Sequence, residues 1–294
     1  MLKLRHVVCL VILFVVVAGF AAAARCQERA PDVHFVPTPD EVVAEMLKMA
    51  RVTGNDIVYD LGCGDGRIVI TAAKRYGARG VGVDIDPERI RESKENALNA
   101  GVADRVRFIQ QDLFKTDFKE ATVVFLYLLP ELNLELRPKL LRDLKPGSRI
   151  ISHEFDMGDW KPDDSGVVRN VKLYYNPKNP FEKDTYFYYW VVPSEAGGGW
   201  RGTLTTSKGG QDFLLHLAQE FQKIKGEMTL RGQKVPITDA QLVGDRIGFT
   251  VRDESQSERV VMEFNGRVTG ETITGTMEVR GGPAQEAVAW TARR

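Results

Sequence analysis

Cysteine is scarce in this chain. Cys9, Cys26 and Cys63 among 294 residues are too few and too scattered for a disulfide framework or a metal knuckle, and only four histidines accompany them. No structural metal is expected. Net charge is also missing: forty basic and forty acidic residues cancel, so the balance points to no nucleic-acid groove and no membrane-coating surface. Nor does the chain carry the dinucleotide fingerprint, which keeps two residues between its second and third glycines. Partner class must therefore be read from individual sites. The length allows one large or two ordinary domains.

What is present centres on Ile57-Val58-Tyr59-Asp60-Leu61-Gly62-Cys63-Gly64-Asp65-Gly66-Arg67-Ile68-Val69-Ile70. An apolar run enters three alternating glycines and an apolar run with helical spacing leaves them, which predicts buried strand, tight turn and helix. A pyrophosphate needs the wider cradle of the dinucleotide motif on a helix N-terminus. This turn suits a ligand without phosphates.

Lys3, Arg5 and His6 precede an uncharged run over 7–24, with Ala22-Ala23-Ala24 at its end and Arg25 after it. That is the layout of a signal peptide or an N-terminal membrane anchor over 1–24, and it predicts an exported or membrane-anchored protein. Thr38 and Glu41 form a capping box with Pro39 at the first helical position, so a helix is expected there, either for packing or as a lid over the ligand. From residue 57 short apolar strands alternate with helices, the pattern of a parallel sheet covered on both faces. The strands are expected at 57–61, 80–83, 106–109, 122–126 and 149–152, with a helix over 136–144 before the last. Segments 171–175 and 186–192 then read as an antiparallel pair joined by a loop with Asn176, Pro177, Asn179 and Pro180.

A Gly-rich linker over 195–199 separates this α/β domain, residues 33–194, from an all-β accessory domain over 200–294. Turn signals at Lys208-Gly209-Gly210, Gly244-Asp245, Asn265-Gly266, Gly270-Glu271 and Gly281-Gly282 suggest about eight strands closed as an up-and-down barrel. Residues 264–270 followed by 273–275 read as two adjacent tight hairpins. The module holds no cluster of carboxylates, cysteines or histidines that would carry chemistry, and its interior is expected to be filled by side chains.

Asp60, Asp84 and Asp112 fall at the C-terminal ends of the first three strands, the edge where open α/β sheets bind ligands. Asp84 is placed to accept both hydroxyls of a ribose. Asp112 could accept from an exocyclic amine while Leu113 and Phe114 sandwich an adenine.

With these residues the chain resembles the class I S-adenosylmethionine-dependent methyltransferases over residues 35–193. That resemblance implies a seven-stranded Rossmann-like sheet, five parallel strands plus a terminal antiparallel hairpin, and S-adenosyl-L-methionine as cofactor. It implies cofactor contacts from Asp60, Gly62, Gly64, Asp65, Gly66, Asp84, Ile85, Asp112 and Leu113. Within the class the chain is most similar to the small protein lysine methyltransferases that modify the ATP synthase and the adenine nucleotide translocase. The similarity rests on Phe35-Val36-Pro37, Gly64-Asp65-Gly66-Arg67-Ile68-Val69-Ile70, Pro130-Glu131 and Trp160-Lys161-Pro162-Asp163. The segment Leu128-Leu129-Pro130-Glu131 stands where amine-modifying nucleic-acid methyltransferases carry an Asn/Asp-Pro-Pro-aromatic motif. The implied acceptor is a protein lysine, or else a small molecule or lipid at the membrane; a non-enzymatic exported binding protein with this fold is the other reading. Candidate residues on the acceptor side are Glu131, Tyr127 and Pro130, with Glu154 behind them.

Overall fold

The computed structural model describes residues 33–173, 181–206, 209–253, 260–280 and 287–294. The segment 1–24, the residues Tyr174 and Tyr175 with the loop after them, and the turn signals at Lys208 and Gly281-Gly282 lie outside the described residues.

The first half is a seven-stranded sheet in the order β3-β2-β1-β4-β5-β7-β6. Strands β1 (Ile57–Leu61), β2 (Arg79–Asp84), β3 (Val106–Gln110), β4 (Val123–Leu126) and β5 (Arg149–His153) run parallel; β7 (Phe181–Val191) pairs antiparallel with β5 and with β6 (Asp164–Leu173). The central strands are apolar almost throughout because both faces are covered. On one face lie α1 (Asp40–Met49), α2 (Arg67–Tyr76) and α3 (Pro87–Ala100), whose Val43, Met46, Val69 and Ile90 share one core with Phe125 and Ile151 of the sheet. On the other, α4 (Pro130–Asp143) sets Leu136 and Leu140 over Tyr59, Val124 and Ile150. Helix α4 begins six residues before the sequence signal at Leu136, because Pro130 occupies the first helical position, where its missing N–H costs nothing.

Strand β6 starts at Asp164, earlier than the apolar segment at 171–175 announces. It is an edge strand whose register shifts between Val168 and Val171, with Asn170 at φ 55°, so its pattern lacks the alternation of an inner strand.

The second half closes into an eight-stranded antiparallel barrel. Strands β8 (Gly198–Thr206), β9 (Gly209–Glu220), β10 (Lys223–Leu230), β11 (Gln233–Val243), β12 (Arg246–Asp253), β13 (Val260–Thr269), β14 (Thr272–Arg280) and β15 (Ala287–Arg293) pair in succession, and β15 returns to β8. Inward positions alternate with outward ones, and Phe213, Phe249, Phe264 and Trp290 meet at centroid separations of 4.8–6.4 Å inside. Eight strands leave an interior just wide enough for such a filling, in agreement with the sequence expectation. One turn signal is misleading. Asn265-Gly266 lies within β13, where Gly266 faces Gly275 of β14; a Cβ on Gly266 would come within 2.9 Å of the Trp290 ring. The glycine there admits an indole, and β13 and β14 form one long hairpin turning at Gly270.

The barrel is bound to the sheet. Gly198 and Gly199 already belong to β8, and the preceding residues are held by Gln219, whose Oε1 accepts from Ala196 N and Gly197 N while its Nε2 donates to Ser194 O. The β9–β10 turn then reaches the loop after β5. Phe221, at φ 53°, stacks on Trp160 with centroids 5.7 Å apart, and Gln222 Oε1 accepts from Trp160 Nε1 at 2.9 Å. Gln222 Nε2 donates to Lys161 O and Asp163 Oδ1. Replacing Trp160 by Ala should therefore destabilise the chain by about 3–5 kcal/mol in denaturant titration, through the cavity and the orphaned carboxamide. Gln222→Ala, which leaves the stack in place, should cost only about 1–2 kcal/mol.

Candidate active site

The turn after β1 is stitched to β2 through its backbone. Gly62 N and Cys63 N both donate to Val83 O, at 2.8 and 3.0 Å, and Gly64 N donates to Asp84 Oδ2 at 2.9 Å. Asp84 Oδ1 accepts from Asp86 N at 3.0 Å, so two backbone donors fix this carboxylate at the end of its strand. Gly64 has φ 52° and Gly66, which opens α2, has φ 79°. A side chain at Gly64 would also strike Phe35, whose ring would lie 2.0 Å from a Cβ there. The Phe35-Val36-Pro37 segment is thus laid against the glycine turn, and the Arg89 guanidinium covers the Phe35 ring at 5.1 Å. Arg67 completes the junction: it pairs with Asp65 at 2.6 Å and donates to Thr38 O at 3.0 Å.

Three acids define the electrostatics. Asp60 is 3% exposed, and its carboxyl is held well above the usual range by burial first, then by the charges of Asp84 and Asp65. The same burial and the same acids push the Cys63 thiol up, so it is an inert packing group. Asp112 caps the short helical turn Leu113–Lys115 by accepting from Phe114 N at 3.0 Å, and the chain next to it joins the edge through Gln111 N, which donates to Asp84 O. Ile85 and Leu113 are half-buried beside these acids. The sequence-predicted residues on β1, β2 and β3 are therefore brought to one edge. Asp65 differs from its partners in spending its carboxylate on Arg67.

The ends of β4 and β5 form the adjacent part of the same edge. Leu128 is buried against Gly62, Pro130 opens α4, and Glu131 is exposed in that helix's first turn, where the helix dipole favours a carboxylate. Tyr127 is half-buried, its ring centroid 4.0 Å from that of His153. His153 escaped the sequence reading, which ended the fifth strand at Ser152. The available signal was a His-Glu pair directly after Ile150-Ile151-Ser152, at the ligand-bearing edge. The capping box also resolves differently: Thr38 makes no cap, and α1 begins at Asp40. Its hydroxyl instead meets His153 Nδ1 at 3.1 Å, 115 residues away, a buried partner that outcompetes a solvent-exposed helix end. Asn133 was likewise missed. It donates to Ser152 Oγ, Phe155 O and Asp156 O, tying α4 to the loop after β5.

The sheet order, with its antiparallel seventh strand inserted beside the fifth, combines with a glycine turn made for a phosphate-free ligand and an acid fixed at the end of β2. Together they define an S-adenosylmethionine-dependent methyltransferase. The family model for the ANTKMT methyltransferase domain matches residues 60–164. A protein-lysine N-methyltransferase of Saccharolobus islandicus (strain REY15A) is 48% identical over 151 residues, spanning 49% of this chain and 94% of that protein. The adenine nucleotide translocase lysine N-methyltransferase of Mus musculus is 31% identical over 131 residues, 44% of this chain and 56% of that protein. Among solved structures, an RNA methyltransferase from Salinibacter ruber in complex with S-adenosyl-L-homocysteine is 51% identical, with a TM-score of 0.48, over 54% of this chain and 95% of that one. The chain belongs to the family of the Saccharolobus islandicus protein-lysine N-methyltransferase.

Its cofactor is S-adenosylmethionine, and the residues present fit it. Asp60, Asp84 and Asp65 converge at the turn and Asp65 is paired with Arg67, so a sulfonium or an ammonium placed there would favour the ionised form of Asp60 that burial and its neighbours oppose. Asp84, fixed by Gly64 N and Asp86 N, keeps acceptor capacity for a diol.

Asp60 gives a test. The folded chain binds its proton more tightly than the unfolded chain, so stability falls as pH rises above 3.8 toward the raised value. Asp60→Asn should stabilise the ligand-free protein, with a gain growing by about 1.4 kcal/mol per pH unit across that window. The same variant should bind S-adenosylmethionine more weakly. Urea titrations at pH 4 and pH 7.5, with calorimetry of cofactor binding, check both signs.

Proposed function

We propose that this enzyme methylates the side-chain amine of lysine in a protein substrate. The observation that supports it most is the 48% identity across 94% of the Saccharolobus islandicus protein-lysine N-methyltransferase. The barrel lies beyond the residues matched by the family model, so the acceptor protein is assigned by class and not by name.

The chain's own residues divide the work. Gly62, Gly64 and Gly66 with Asp60, Asp84 and Asp112 would hold the cofactor, which when bound supplies a methyl group already activated on a sulfonium. Tyr127, Pro130 and Glu131 border the acceptor side of the same edge. A lysine ammonium with a pKa of about 10.4 must lose a proton to become a nucleophile, which costs about 4–5 kcal/mol at neutral pH. Alignment supplies much of the remaining acceleration, and exclusion of water preserves it. Glu131, exposed in the first turn of α4, attracts the ammonium and orients it; Tyr127, half-buried against His153, borders the end of β5.

Transfer of labelled methyl groups from S-adenosylmethionine into a cell extract, followed by hydrolysis and mass spectrometry, should give methyllysine in protein. Label confined to RNA, lipid or small metabolites would overturn the assignment. With the labelled protein as acceptor, Glu131→Gln should lower kcat/KM about tenfold while binding of S-adenosylhomocysteine stays unchanged.

The basic residues and apolar run of 1–24 support a further proposal, that the chain is exported or membrane-anchored by this segment. A topology reporter fused after residue 294 should be active outside the cytosol. Activity in the cytosol alone would sink the proposal.

A further inference from the structure

Beside the acids that suit the cofactor, a second group of polar side chains is buried at the ends of β4 and β5, and the cofactor-binding residues leave it unused. His153 is 1% exposed. Its Nδ1 is engaged by the Thr38 hydroxyl at 3.1 Å, while its Nε2 has no partner among the described residues. Glu154 follows at φ 65°, a left-handed backbone that a non-glycine residue adopts only under constraint. Its Oε2 holds the Lys183 ammonium at 3.0 Å, and its Oε1, also buried, has no partner among the described residues. The two unpartnered atoms lie 3.9 Å apart. Buried acceptors without donors are rare, because each forfeits the hydrogen bond it had in water.

Glu154 Oε1 wants a donor, and His153 Nε2 wants the same one in the tautomer whose proton sits on Nδ1. Burial, and then the charge of Lys183, hold the His153 pKa down at about 3, so the imidazole is neutral at working pH. The Thr38 hydroxyl can pair with either tautomer of the neutral ring; where Nδ1–H donates to it, Nε2 is an acceptor. A nitrogen can lie about 2.9 Å from both Nε2 and Oε1. The carboxylate already holds one ammonium on its other oxygen, so its chemistry toward a lysine is on display in the fold. The Tyr127 ring lies 4.0 Å from the imidazole, and Lys183, 39% exposed, covers the group on the solvent side, so an amine reaches the two atoms only when the Lys183 side chain moves.

We infer that His153 Nε2 and Glu154 Oε1 are the seat of the acceptor amine, each taking one of its hydrogens. Two such bonds fix rotation about the terminal carbon–nitrogen bond of the lysine. The third direction of the nitrogen, which carries the lone pair in the neutral amine, is left for the methyl group. Glu131 then acts from the first turn of α4 and His153 with Glu154 at the point of attachment. This inference rests on the lysine reading above and adds the residues that position the lysine.

Two substitutions separate a seat from a structural brace. The carboxamide of His153→Asn reaches the place of Nδ1 and keeps the Thr38 contact, but loses the acceptor at Nε2. The carboxamide of His153→Gln reaches the place of Nε2. If the seat is right, His153→Asn should lower the rate of methyllysine formation in extract at least about tenfold, and His153→Gln should retain more of it. A brace for Thr38 would reverse that order and overturn the proposal. Glu154→Gln should lose rate by a similar factor; an unchanged rate would also overturn it. Each variant should bind S-adenosylhomocysteine within about twofold of the parent by calorimetry, and Glu154→Gln decides the matter where His153→Asn fails to fold. Independently, nitrogen-15 spectra of the full chain with S-adenosylhomocysteine should show a shift at His153 Nε2 on adding n-butylammonium as a lysine surrogate. Absence of that shift refutes the seat. A shift without methyllysine in the extract supports the seat and refutes the protein-lysine assignment instead.

Discussion

The site depends on one carboxylate and the two backbone N–H groups it accepts. Asp84 receives Gly64 N from the turn after β1 and Asp86 N from the start of α3, so one side chain sets the distance between two loops at the sheet edge. A carboxylate bonded in this way is rigid and keeps lone pairs to spare. Everything placed on the glycine turn inherits that rigidity: Phe35 against Gly64, Leu128 against Gly62, and Arg67 reaching from α2 to Thr38. Asp60, buried behind the turn, is the opposite case. Its charge is opposed by burial and by its neighbours, which leaves an electrostatic deficit that a cationic ligand relieves.

The barrel is best understood through what the sheet lacks. Three helices cover one face, but α4 alone covers the other near β4 and β5, and the remainder is closed by Trp160, Trp190 and Phe221. Phe221 comes from the barrel. The aromatic stack and the Gln222 carboxamide fasten the loop 155–163, the same loop whose first carbonyls are held by Asn133 from α4. The barrel thus reaches the loop after β5 through packing, with its own interior filled, and among the described residues it holds no cluster of histidine, cysteine and acidic side chains.

Much of this was legible in the chain. Strand-turn-helix at the glycines, three acids at three strand ends, five parallel strands with a terminal hairpin, and an eight-stranded closed module all follow from periodicity and turn chemistry. The errors came where a residue with a local meaning found a distant partner. Thr38 had the spacing of a capping box and went to His153; Asn265-Gly266 had the letters of a turn and made room for Trp290. The glycines at 198 and 199 read as spacer and lie in strand, because Leu217 and His216 of β9 pair with them there.

The sequence by itself determined which residues reach the ligand edge, since a strand's end and a glycine's φ are set within a few residues of chain. The glycine spacing pointed to a ligand without phosphates, and the resemblance to a known family supplied the cofactor. What only the tertiary structure decided is which polar atoms are left without partners. Among the described residues His153 Nε2 and Glu154 Oε1 have no partner, although Thr38, Lys183 and Tyr127 surround them from three separate elements. Whether a buried acceptor is satisfied depends on every donor within hydrogen-bond reach of it, and in this chain those groups come from residues up to 115 positions away.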